Sequence, residues 1–449
     1  MSKQRIQLSD HFTYSRLLRF VLPCIGTMLF TSIYGIVDGL CVSNFVGKTA
    51  FAAVNLIMPL PMLLGTIGFM LGTGGSAIVG ITLGEGDQKK ADRYFTLFLL
   101  AALVSVSVLA VLGIVFLRPI AVLLGAKGEL LDYAVRYGRI LMVSLPTFAL
   151  QNMFQSFFVT AEKPHLGFWF TVGAGCTNMV LDVLMVSIWG WGVEGAAIAT
   201  FISQLVGGVL PVFYFINRSN SSRLHLCRTS FYSKVLRDAC INGSSELMTN
   251  LSMSLVNILY NYQLLRLAGE NGVAAYGVIM YAAFLFVAVF VGYAVGSAPI
   301  VSFHYGARNH AEVHNLYRKS LRLIALVAVT LTLASMFIIP CVARIFVGYD
   351  AELLALTSRA FRLYALSFLI MGFNVYASSF FTALGDGVTS ALISFLRTLA
   401  FQVIAILLLP LLLGIDGIWL AVTAAELAAL AVSAAMLLTK DKVFHYRKA

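Results

Sequence analysis

Apolar runs of about 20 residues or more follow one another along almost the whole chain, separated by short polar or glycine-bearing turns. A run of that length matches the roughly 30 Å hydrocarbon core of a bilayer, which a helix of about 20 residues crosses. None shows the alternating period of a membrane barrel strand, so the expected elements are helices. Composition agrees, because 59% hydrophobic and 11% charged residues leave too little polar surface for a domain in water, where about 25% charged is usual. The expected fold class is therefore all-α and polytopic. Twelve transmembrane helices are expected, near 17–40, 50–82, 94–117, 130–159, 166–189, 194–216, 236–266, 272–304, 317–341, 352–383, 389–413 and 416–438. The opening Met1–Arg5 is basic, but the apolar run behind it is too long for a signal-peptide core, so it reads as a retained first span.

The chain also repeats itself at a shift of about 222 residues. Ala52-Ala53 and Ile57-Met58 return as Ala274-Ala275 and Ile279-Met280. Asn152, Ser156, Phe158, Thr160 and Ala161 return as Asn374, Ser378, Phe380, Thr382 and Ala383, and GVEG at Gly192 returns as GIDG at Gly414. Duplicated membrane halves are a common construction of secondary transporters, with the substrate site where the repeats meet. Two six-helix lobes are expected, 1–216 and 235–449, joined by a polar cytoplasmic linker at 217–234. An even number of spans per repeat gives both lobes the same sense, so their pseudo-twofold axis should run along the membrane normal.

The formal net charge of +11 is dispersed over short loops. With both termini cytoplasmic, 21 of the 31 Lys and Arg residues lie inside, nine lie outside, and Arg397 alone falls within a helix. This is the positive-inside pattern of a multi-pass protein, and it argues against nucleic acid as a partner. The six cysteines show neither metal-ligand spacing nor a disulfide framework. The GTGGS segment at Gly72 lies in a membrane span without the Lys of a phosphate loop, and neither HExxH nor DDxxD occurs. No enzyme activity, cofactor or obligate protein partner is expected.

What remains is a small set of intramembrane polar residues. Asp38, Asp182, Glu246 and Glu426 interrupt apolar helices, where a carboxylate costs about 2.5–3.5 kcal/mol and normally faces a cavity or a partner. Thr27, Thr31, Tyr34 and Asp38 share one helix face, and Asn178 precedes Asp182 by one turn. Asp38, Asn178 and Asp182 are the candidate cation-coupling site, with oxygen chemistry suited to H⁺ or Na⁺. Their counterparts at the 222 shift are Tyr260, Ala400 and Ile404, so the second half has not kept the charges. There, Glu246, Asn250, Ser254, Asn257 and Asn261 form a polar stripe. Glu246, with Asn250, Asn257 and Arg397, is a candidate second-lobe cation or substrate site; alternatively Glu246 pairs with Arg397. Tyr34, Asn152, Tyr276 and Tyr281 are candidate substrate-cavity residues.

The order of these features resembles the multidrug and toxic compound extrusion (MATE) family, bacterial branch, over essentially the whole chain. The resemblance is carried by Asp38 in GIVDGLCVSNFVG, by GTGGSAIVGITLGEGDQKKA, by NMVLDVL with Asn178 and Asp182, by GVEGAAIAT, and by Glu246 in GSSELMTN. It implies an outward-opening V of two lobes in a bacterial cytoplasmic membrane, exporting small organic cations in exchange for H⁺ or Na⁺ bound at Asp38, Asn178 and Asp182. The acidic residue that some members carry in the tenth helix is missing between Leu363 and Phe381. A flippase for a lipid-linked or polysaccharide intermediate is the alternative within the same superfamily.

Overall fold

The computed structural model describes residues 6–46, 48–348 and 350–447, with side chains throughout except at 39–44, 48, 51, 342, 345 and 346. The basic Met1–Arg5 lies outside the described residues. Among the described residues every regular element is a helix, and the helices form twelve spans. The first six are α1 (Tyr14–Phe45), α2 (Lys48–Ile57 and Pro59–Gly84), α3 (Gln88–Leu123), α4 (Glu129–Thr160), α5 (Pro164–Asp182, continued by Val183–Ile188) and α6 (Gly192–Gly208 and Leu210–Ile216). Ser233–Asn242 and the long segment Ser244–Gly306 then supply α7 and α8, divided at Gly269, whose φ of 61° and ψ of −150° interrupt the helix. The last four are α9 (His310–Val347), α10 (Ala351–Ala365 and Phe368–Ala383), α11 (Gly387–Leu413) and α12 (Ile415–Thr439).

Nine described helices are individually long and apolar enough to cross a bilayer, and the two pieces of α10, bent by 46°, act together as another. Splitting the long segment at Gly269 adds one, and α4 completes the twelve despite Asp132, Arg136 and Arg139 near its start. Several helix starts follow from capping. Asp87, Asn309, Asp350 and Asp386 each accept a backbone N–H from the first turn that follows, which satisfies a donor the helix itself cannot.

Helices α1–α6 and α7–α12 form two lobes that touch along one seam. There α1 and α2 meet α8 and the start of α7 with almost no room between backbones. A Cβ at Gly84 would stand 2.0 Å from the Phe303 carbonyl oxygen, one at Gly306 2.1 Å from that of Ile81, and one at Gly243 1.9 Å from that of Met70. Only glycine permits such contact. All three lie toward the end of the molecule that carries the amino terminus. Toward the other end, no described residue stands within 4 Å of a Cβ added at Gly35 of α1 or Gly277 of α8, and Asn257 and Tyr281 are exposed. The lobes therefore close at one end and part at the other.

The segment before α1 reinforces the closed end. Leu8 N–H donates to Glu162 Oε1 at 2.9 Å in the first lobe, and Phe12 N–H donates to Glu312 Oε1 at 2.9 Å in the second. His11 Nδ1 lies 2.6 Å from Glu312 Oε2, and Arg223 of the inter-lobe segment pairs with Glu162 at 2.5 Å. Leu8 and Phe12 are fully buried, so this strap is packed as well as hydrogen-bonded.

Candidate cation and substrate sites

In the first lobe the helices are drawn together by a missing side chain. A Cβ on Gly175 of α5 would fall 2.5 Å from Phe30 and 3.0 Å from Tyr34 of α1. The approach this allows, one turn before Asp38 and two turns before Asp182, brings their carboxyl groups within hydrogen-bonding reach of each other. Asp182 is 0% and Asn178 2% exposed. Apart from that mutual contact, Asp38 Oδ1, both oxygens of Asp182 and Nδ2 of Asn178 are buried without a hydrogen-bond partner among the described residues. Two ionised carboxylates are acceptors only, so this contact needs a proton or a cation between its oxygens. Among the described residues no group of three or more His, Cys, Asp or Glu side chains gathers, so a metal ion here would rely on two carboxyls and the Asn178 amide.

The helix changes form at this point. Immediately after Asp182, Val183–Ile188 is a π-segment, with Trp189 N–H donating to Leu184 and Trp191 N–H to Met185, each at 2.9 Å. Such widened turns recur at functional sites because they re-aim side chains and free carbonyls.

Tyr137 of α4, 1% exposed, stands within electrostatic reach of both carboxyls, and Tyr34 stands beside Asp38. Tyr137 was invisible to sequence reasoning because it stands in the charged start of α4, one turn from Tyr133 and next to Arg136, where nothing in the sequence sets it apart from those neighbours. Asn152 is not part of this cluster. It lies 15 residues farther along α4, about 22 Å at 1.5 Å per residue, where it is buried with Nδ2 unpartnered.

The second lobe differs from expectation. Arg397 does not pair with Glu246. Its Nε donates to both oxygens of Glu426, at 2.8 and 3.0 Å, and Nδ2 of Asn374 donates to Glu426 Oε2 at 2.7 Å. Glu426 wins because α12 places its carboxylate, 1% exposed, directly across from α11, and a buried charge is tolerable only when so paired. Glu246 makes no side-chain hydrogen bond or ion pair among the described residues, while Asn250 Nδ2 donates back to the Glu246 carbonyl at 2.9 Å. Asn257 is exposed, and Asn261 reaches it at 3.4 Å. The stripe is thus half-buried at Glu246, Asn250 and Asn261 and open at Ser254 and Asn257. Tyr276 is buried, stacked on Tyr260 with centroids 5.0 Å apart.

Arg397 too rides on a π-segment, Leu396–Ala400. The repeat held a signal for this triad: Asn374 and Glu426 sit at the 222 shift from Asn152 and Gln204. In the first lobe those two remain amides, with Asn152 Nδ2 and Gln204 Oε1 unbonded.

The MatE family model matches the chain twice, over residues 23–184 and 247–408, once in each lobe. The chain belongs to the multidrug and toxic compound extrusion (MATE) family. It is a multi-pass membrane transporter rather than an enzyme. Curated relatives include the multidrug export protein MepA of Staphylococcus saprophyticus, 21% identical over 436 residues that cover 96% of this chain and 95% of the relative. MepA of Staphylococcus aureus is also 21% identical, over 441 residues with the same coverage. Among solved structures, a MATE in complex with MaL6 superposes with a TM-score of 0.92 at 22% identity, covering 100% of both chains. An outward-facing multidrug resistance MATE transporter of the MOP superfamily gives the same TM-score, identity and coverage. The twelve-helix, two-lobe arrangement is that of this family.

Proposed function

We propose that this MATE transporter exports amphipathic, cationic compounds from the cytoplasm of a bacterium by antiport against H⁺ or Na⁺, with Asp38, Asn178 and Asp182 as the coupling site. The observation that carries the reading is the contact of two buried carboxyls, from α1 and α5, in which Oδ1 of Asp38 and both oxygens of Asp182 have no donor among the described residues. A single cation held there removes their mutual repulsion, and its departure restores it, so occupancy of the site biases how closely α1 can lie on α5. α1 also contributes Ile25 to the inter-lobe seam, where Gly292 packs against its backbone, so a shift of α1 reaches the contact between lobes.

The energetics suffice. One H⁺ entering down 100 mV releases about 2.3 kcal/mol, and one pH unit adds about 1.4 kcal/mol. Together they support a several-hundredfold substrate gradient without ATP. Cytoplasmic termini and an outward-opening cleft follow from the positive-inside charge distribution applied to lobes that close at the amino-terminal end. A lipid-linked polyanion would need a cluster of deep cations, and a single arginine is not one.

Purified protein in vesicles, with imposed pH or Na⁺ gradients and a fluorescent organic cation, tests the reading. Uptake driven by either gradient is expected in inverted vesicles. Substrate movement indifferent to both would refute antiport.

A further inference from the structure

The second lobe contains charge chemistry that cation coupling does not use. Arg397, 13% exposed at its side chain, spends only Nε on Glu426. The N–H donors on its two terminal nitrogens have no hydrogen-bond partner among the described residues. Those donors form the planar edge that matches a carboxylate in two parallel bonds. Beside the pair stands Tyr364, close to both Arg397 and Glu426, and next to Tyr364 lies Tyr260, whose buried hydroxyl has no partner among the described residues. Tyr260 in turn stacks on Tyr276. The matching positions of the first lobe are Gly175, Gln204 and Asn152, so no cation stands there. Both lobes distort a helix to a π-form at their charged residue, next to Asp182 in one and at Arg397 in the other.

We propose that the second lobe holds an anion subsite, in which the terminal guanidinium edge of Arg397, held in place by Glu426 and Asn374, receives the carboxylate of an aromatic, zwitterionic substrate. Glu426 and Asn374 are positioning residues here: they fix the guanidinium through Nε and leave the outer edge to the ligand. Tyr260, Tyr276 and Tyr364 supply the aromatic wall. With Glu246 of α7 free of any described side-chain partner and an arginine edge in the same lobe, the chain is suited to substrates bearing both signs of charge. This deepens the export reading and rests on it for direction of transport, but not for binding.

The test is therefore a binding measurement, independent of ion coupling. The protein in nanodiscs of zwitterionic lipid is titrated with an aromatic amino acid-like amphipath carrying a free carboxylate, and with its methyl ester. Wild type should prefer the acid by about tenfold or more, the scale of a charge-assisted bidentate contact. Replacing the pair together, Arg397→Leu with Glu426→Leu, leaves no unpaired buried charge, and should abolish the preference while the ester binds as before. Arg397→Lys, which keeps the charge and loses the fork, should retain only part of it. Equal binding of acid and ester by wild type, or an acid preference that survives the double variant, would overturn the proposal. The titration is repeated with phosphatidylglycerol in the nanodisc. If anionic lipid abolishes the acid preference, the arginine edge serves a lipid headgroup and the substrate assignment is wrong. Failure of Asp38 variants to affect ion coupling would sink the antiport reading and leave these binding results standing.

Discussion

The inter-lobe seam offers a direct handle on the conformational equilibrium. Gly84 of α2 and Gly306 of α8 approach each other's backbones so closely that an alanine methyl at residue 84 would lie 2.0 Å from the Phe303 oxygen and 2.7 Å from the Ala307 nitrogen. A methyl carbon and a carbonyl oxygen rest above about 3.2 Å, so α2 and α8 must separate by about 1 Å at this point. Over-packing of this kind costs about 1–3 kcal/mol. The cost falls on the conformer closed at the amino-terminal end and vanishes once the seam opens, so it acts on the equilibrium between the two. A bias of that size shifts populations by about 5- to 150-fold. Pulsed electron spin resonance between labels at Lys89 and Arg318, both exposed near that end, in a background with the six native cysteines replaced, reads the change. Gly84→Ala should transfer population to longer distances, and Gly306→Ala should do the same. Gly35→Ala, where nothing stands within 4 Å of the new methyl, should leave the distribution unchanged. If Gly84→Ala and Gly35→Ala give the same distribution as wild type, the seam does not control closure.

Two further outcomes follow from the second lobe. Glu426→Ala strands Arg397 beside a 1% exposed site and should cost about 3–5 kcal/mol, whereas the double leucine variant should cost much less; thermal unfolding in detergent showing equal losses would contradict the pairing. At the α10–α11 turn, outside the membrane-spanning segments, burial pushes the Asp386 carboxyl upward, but hydrogen bonds from Lys440, at 2.8 Å, and from Thr389, at 2.7 Å, outweigh it and hold the group below the usual carboxylate range. A depressed folded value means the stabilisation is full above the unfolded pKa of about 3.9 and is lost as pH falls through the folded one. The gap in unfolding temperature between wild type and Asp386→Asn should be constant from pH 7 to about 5 and close in stronger acid; a gap that widens in acid would refute the assignment.

Spans were legible in the sequence because hydrocarbon thickness imposes a length and a polarity on every helix, and the turn at Gly269 falls between the expected ends at 266 and 272. The pairing of Asp38 with Asp182 was legible as chemistry but not as geometry. Spacing puts Asn178 and Asp182 on one face, yet only the glycine at 175 tells how near α1 can come, and its role is visible only with Phe30 and Tyr34 packed against it. Arg397 shows the converse. Glu246 was the partner put forward for it, and linear sequence holds no distance by which to prefer Glu426. The repeat did hold a clue, since Asn374 is the echo of Asn152, and a buried amide donor beside Glu426 marks where that carboxylate points. Tyr137 had no signal at all, because it shares the polar start of α4 with Tyr133, Arg136 and Arg139, and only packing shows which of them faces the carboxyls.

We assign the coupling cation to the Asp38–Asp182 contact. Vesicles containing Asp38→Asn protein, loaded with substrate and driven first by a pH gradient and then by a Na⁺ gradient, test it most directly. Gradient-driven transport should be lost in both cases while the variant inserts and binds substrate. Full gradient-driven transport by Asp38→Asn would contradict it.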